Sequence, residues 1–113
     1  MQKFSKPIKV QLLDEATNYF DEINDRVKAK FFKSFEKVET GLKGDWFKHL
    51  EDGIWEFKER DSQKFYRIFA FWDSTQEKQT LIVGTHGYNK KSNKTPRKEI
   101  NMAKQLRAKY YDN

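Results

Sequence analysis

The chain has 113 residues, of which 36% are hydrophobic and 35% charged, with a net charge of +6. That length supports one domain, residues 1–113, with a single modest core. Ten Phe, five Tyr and three Trp can fill this core despite the low hydrophobic share. The lack of cysteine excludes disulfides, thiolate metal sites and a cysteine nucleophile, and two distant histidines, His49 and His86, make no ligand cluster. No apolar run approaches a membrane span and the N-terminus lacks the apolar core of a signal peptide, so a soluble, cytoplasmic protein is expected.

Taken in order, Ile8, Val10 and Leu12 alternate with Lys9 and Gln11 and predict a first strand. Asp14 opens a helix with Ala16, Tyr19, Phe20 and Ile23 on one face. Asn24-Asp25 breaks it, and Asp25 is expected to cap a second helix whose inward face is Val27, Phe31, Phe35, Val38 and Leu42. Gly41 and Gly44 end that helix. Ile54–Arg60 then alternates as a strand, with Trp55 and Phe57 inward. Asp61-Ser62-Gln63 is a turn, and Phe65–Trp72 reads as a central strand, apolar on both faces except for Arg67. After a polar turn over 73–78, Thr80–His86 completes the meander. Pro96 suits the first turn of a last helix running to about Tyr110, with Thr95 as its N-cap and Ile100, Ala103 and Leu106 inward. The order βααβββα defines an α+β fold, with an N-terminal helical hairpin on a small, mainly antiparallel sheet and a basic C-terminal helix.

Charge is unevenly distributed. Residues 86–113 carry eight basic and two acidic side chains, while the rest of the chain is nearly balanced. A cluster of that kind favours an anionic partner, nucleic acid above all. Alternation places Glu56, Lys58 and Arg60 on one strand face, opposite Trp55 and Phe57. A lone buried Arg67 is costly, so it should open onto a cleft or meet a carboxylate, with Glu56 across the hairpin as the natural partner. His86 ends the third strand of the meander and delivers the chain to Lys90, Lys91 and Lys94. A carboxylate, an imidazole and a basic groove are the parts needed to cleave RNA without a metal. A base activates the 2′-hydroxyl, cations stabilise charge building on the phosphate, and an acid protonates the leaving 5′-oxygen. A fork of donors suits Arg67 to the phosphate, and His86 can serve as acid or base. Cross-strand Arg–Glu pairs and strand-end histidines also occur as purely structural features.

The runs Gly53-Ile54-Trp55-Glu56-Phe57-Lys58, Tyr66-Arg67-Ile68-Phe69, His86-Gly87-Tyr88-Asn89-Lys90-Lys91 and Lys94-Thr95-Pro96 with Glu99-Ile100, in this order, resemble the RelE/HigB superfamily. More narrowly, they resemble the phage-derived HigB-like branch of toxins from type II toxin–antitoxin systems. Lys58 stands where that branch usually has Arg, and Tyr88 where it has Phe, which keeps a ring able to stack on a base. The resemblance implies a RelE-like fold and an endoribonuclease that cleaves mRNA on the ribosome, with no metal and no cofactor. It also implies a small helix-turn-helix antitoxin as partner. By position it implies that Arg67, Lys58, His86 and Lys91 are catalytic, that Arg60, Tyr88, Lys90 and Lys94 bind RNA or phosphate, and that Glu56 supports them. Two alternatives stay open: a ParE-like toxin acting on DNA gyrase, and a non-catalytic protein that only binds its antitoxin or regulates.

Overall fold

The computed structural model describes residues 6–90 and 94–112. Its elements are β1 (Ile8–Leu12), α1 (Asp14–Glu22), α2 (Asp25–Glu39), β2 (Phe47–Glu51), β3 (Ile54–Arg60), β4 (Phe65–Asp73), β5 (Thr80–Lys90) and α3 (Arg97–Asp112). The five strands form one sheet in the order β1-β5-β4-β3-β2, with β1 parallel to β5 and all other pairs antiparallel. The α+β class stands, but the order contains one strand more than βααβββα. The additional strand, β2, is a short edge with Lys48 and His49 exposed and a bulge between His49 and Glu51, so it shows little apolar alternation. It joins β3 through Asp52-Gly53, both at positive φ (48° and 78°), as a two-residue hairpin turn demands.

Both sheet faces are covered, which explains why β4 is apolar on both sides. On one face Ala16, Phe20, Val27, Phe31, Phe35 and Val38 of α1 and α2 pack against Phe57, Tyr66, Ile68 and Ile82. On the other, Ala103 of α3 packs against Ile54, Phe69, Phe71, Leu81 and Val83. The helical hairpin turns on Asn24, not Asp25: the Asn24 side chain accepts from the Val27 amide, and Asp25 lies inside the first turn. At its other end, Gly41 at φ 86° lets its own amide reach Val38 O (3.0 Å) and that of Leu42 reach Lys37 O (2.9 Å). Leu42 is therefore past the helix and 57% exposed, not part of its inward face.

Three further expectations change. β5 runs on to Lys90 instead of stopping at His86, so Lys90 is a strand residue, buried at 2% exposure. Asp73 is the buried end of β4, not part of a polar turn. Its carboxylate accepts from the Thr75 amide and hydroxyl and from the Tyr110 hydroxyl (2.6 Å), fastening the end of α3 to the sheet. Thr95 turns its hydroxyl toward Lys90 and Glu56 rather than toward the start of α3.

Candidate active site

The strand register sets the site. Residues directly opposite each other on antiparallel strands share a face, with Cβ atoms roughly 5 Å apart. Three consecutive rows result on the face that also carries α3. Lys48, Glu56 and Phe69 form the first, Lys58, Arg67 and Tyr88 the second, and Arg60, Phe65 and Lys90 the third. A bulge shapes the first row: β5 sets both Thr85 and His86 against Phe69, between the pairs Ile68–Gly87 and Ala70–Gly84. The extra residue brings the His86 ring onto Phe69, stacked at 4.9 Å.

Arg67 occupies the middle of this grid and is 2% exposed. Its Nε lies 3.2 Å from Glu56 Oε1, at ion-pair distance but off the hydrogen-bond direction, and its Nη1 donates to Tyr66 O. Burial lowers the guanidinium's pKa, and the Glu56 charge opposes this. A polar chain continues from the carboxylate: Lys90 Nζ donates to Thr95 Oγ1 (2.8 Å), which donates to Glu56 Oε1 (3.4 Å). Burial, and then the like charges of Arg67 and Lys58, push the Lys90 ammonium below the ordinary lysine range, while Glu56 pulls the other way.

Two open clefts meet at this centre, and Lys58 and Arg67 line both. One, of about 250 Å³, is completed by Lys30, Glu59, Arg60 and Phe65. The other, of about 490 Å³, is completed by Lys48, His49, Leu50, Glu56, Thr95 and Ile100. Lys94 is exposed beside Pro96 and Arg97 at the near end of α3. Lys91 lies outside the described residues.

His86 is placed differently. It is 4% exposed, with Nε2 3.1 Å from Glu99 Oε1 of α3 and Nδ1 3.1 Å from the Thr85 hydroxyl. Burial holds its pKa below the ordinary imidazole value, against the pull of Glu99. A neutral ring facing a carboxylate carries its proton on Nε2. The Thr85 hydroxyl then donates to Nδ1 rather than to Phe69 O at 3.3 Å. The ring so held braces α3 against β5.

The grid brings together Glu56, Lys58, Arg60 and Arg67 from the hairpin and, because β5 is longer than expected, Tyr88 and Lys90 as strand residues. Sequence reasoning overlooked Lys48 and Lys30, which come from the unrecognised strand and from the polar side of α2, and it overlooked Glu99 as the partner of His86. The Asp52-Gly53 dipeptide was the signal for the strand that carries Lys48. Among the described residues, no three His, Asp or Glu side chains are grouped to hold a metal ion. Nor is any helix among them long and apolar enough to cross a membrane.

The site is thus an α+β domain's cationic row whose arginine belongs to a buried Arg–Glu pair. Residues 18–108 match the family model of the phage-derived protein Gp49-like family (DUF891), and the chain belongs to that family. The Gp49-like family is part of the RelE/HigB-like toxins of toxin–antitoxin systems, and membership implies an antitoxin partner. No curated protein matches the chain.

Proposed function

We propose that this chain is the toxin of a type II pair and an endoribonuclease that cleaves mRNA on the ribosome, held in check by a helix-turn-helix antitoxin. The observation that carries the reading is the row Lys58–Arg67–Tyr88, whose Lys58 and Arg67 line two open clefts, with Glu56 paired to the arginine. In the reaction the ribose 2′-oxygen bonds to phosphorus and the bond from phosphorus to the 5′-oxygen breaks. One proton passes from the 2′-hydroxyl to water and one is delivered to the 5′-oxygen, giving a 2′,3′-cyclic phosphate and a 5′-hydroxyl. Arg67, oriented by Glu56, and Lys58 hold the non-bridging oxygens as charge builds on them. Tyr88 stacks on a neighbouring base. Lys90, next to this row and a stronger acid than an ordinary lysine, supplies the proton to the leaving oxygen in place of its hydrogen bond to Thr95. Lys94, at the near end of α3, meets the RNA backbone. His86 acts as a positioning residue, through Glu99 and α3.

Induced expression in a bacterial host, with mRNA 5′ ends mapped, tests this. Wild type gives growth arrest and new 5′ ends within translated frames. Arg67→Lys keeps a cation beside Glu56 but loses the fork, and is expected to reduce cleavage by roughly 100-fold. Full cleavage by a folded Arg67→Lys protein would remove Arg67 from the chemistry. The deep burial of Arg67 and its pairing with Glu56 favour a second reading, in which the pair is structural and the protein acts only by binding. Growth arrest with intact mRNA would favour a protein target such as gyrase, and full viability with soluble protein a binding-only role.

A further inference from the structure

Phe65 stands apart from the other aromatic residues of the central strands. Trp55, Phe57, Tyr66 and Trp72 join the core beneath α1 and α2, and Phe69 and Phe71 join the core beneath α3, but Phe65 belongs to neither. It is half-buried at the start of β4 and lines the smaller cleft. Two guanidinium groups lie over its ring, Arg60 at 5.8 Å and Arg67 at 5.6 Å from the centroid. These distances sit near the outer limit of cation–π contact, about 6 Å. Arg60 is exposed, so its flat guanidinium has room to swing and close over a second ring. Lys30 reaches in from α2, with its Nζ on Arg60 O at 2.7 Å, and the carboxylate of Glu59 is drawn toward α2 by the Ser34 hydroxyl.

We propose that this cleft is a nucleobase site: the Phe65 ring stacks one base of single-stranded RNA, Arg60 covers it, and Lys30 and Lys58 hold the flanking phosphates. The inference deepens the ribonuclease reading and rests on it for the identity of the polyanion. A ring placed where no core needs it, with planar cations around it, is what a sequence-tolerant base platform requires. Lys58 and Arg60 follow each other along β3 at roughly 7 Å, a step that the backbone of an extended nucleotide strand can match. The cleft, at about 250 Å³, is on the scale of one base with its sugar and far too small for a duplex. The stacked base therefore lies next to the scissile phosphate at Arg67, where it can select which sites are cut.

The test is binding of the purified chain to a fluorescent single-stranded oligonucleotide that is 2′-O-methylated throughout, so that no free 2′-hydroxyl can attack. Phe65→Leu is expected to weaken binding about fivefold or more with an unchanged salt slope, and Phe65→Tyr to bind like wild type. Lys30→Ala should lower the slope of log affinity against log salt by about 0.7, the value for one phosphate contact on a single strand. Thermal melts of each variant control for folding. Wild-type affinity in a folded Phe65→Leu protein, or no binding by wild type, overturns the inference. Cleavage mapping separates the two claims. If cells show no cleavage but the binding pattern holds, the base site stands and the nuclease reading falls; if cleavage occurs and Phe65→Leu binds normally, the reverse follows.

Discussion

Arg67 and His86 are both buried and both face a carboxylate, yet they carry charge differently. Arginine cannot shed its proton, so removing Glu56 strands a buried charge, and removing Arg67 leaves the Glu56 carboxyl without its partner. Truncating one side of such a pair costs about 3–5 kcal/mol, whereas replacing both by neutral groups costs far less. His86 escapes that cost by staying neutral. Its pKa is lowered in the folded protein, so the unfolded chain binds the extra proton first. The stability this contributes is complete above the ordinary imidazole value of 6.5 and is lost as pH falls from there through the lower folded value. Asp61 and Asp73 are held at about 2, and so is Glu51, so their contributions are lost only in more acid solution. The interval from pH 7 to pH 5 thus isolates the histidine. The melting temperature of wild type should fall across it, and that of His86→Gln should stay nearly flat. A flat wild-type curve would mean that folding leaves the ring's proton affinity unchanged, and a melting temperature that rises toward pH 5 would mean that Glu99 holds the ring protonated in the folded protein.

At the level of elements, the close approach of α1 to β5 depends on Gly87. A methyl group at that position would lie 2.0 Å from Cδ2 of Tyr19, whose hydroxyl donates to Asn89 at 2.6 Å. Gly87→Ala should therefore destabilise the protein by about 1–3 kcal/mol through overpacking. Tyr19→Ala on the same background should recover much of the loss, read as the coupling term of a double-mutant cycle from urea melts. Purely additive effects would mean that the ring and the glycine do not meet. Nothing in the sequence around Gly87 gives this contact, because it joins residues 68 positions apart. The same holds for the bulge that presents His86: period-two alternation carried the strand only as far as that residue, and a bulge breaks the alternation that would have extended it. By contrast, the inward face of α2 was legible at Val27, Phe31, Phe35 and Val38, since a long helix with one apolar side repeats its signal four times. β2 failed on the same criterion, being five residues long with polar side chains at its centre.

Across the whole molecule, linear charge and surface charge disagree. The excess of positive charge lies in residues 86–113, but much of it is spent within the chain. Arg97 and Lys104 pair with Glu51, Lys104 also with Asp52, and Arg107 donates to Asp52 O, so the basic side of α3 is fastened to the β2–β3 turn. The cations around the two clefts come instead from segments whose charge nearly cancels: Lys30 from α2, Lys48 from β2, Lys58 and Arg60 from β3 and Arg67 from β4. Folding therefore gathers cations away from where the sequence concentrates positive charge, with Glu59 and Glu56 the acidic side chains among them at the two clefts. This division predicts two different salt responses in the same oligonucleotide assay. Lys48→Gln should lower the slope of log affinity against log salt by about 0.7, the value for one phosphate contact on a single strand. Lys104→Gln with Arg107→Gln removes twice the charge, yet should leave the slope unchanged while loosening α3, seen as faster amide exchange over residues 103–110. A larger slope change from the α3 pair than from Lys48 would place the polyanion on the helix and take it off the sheet.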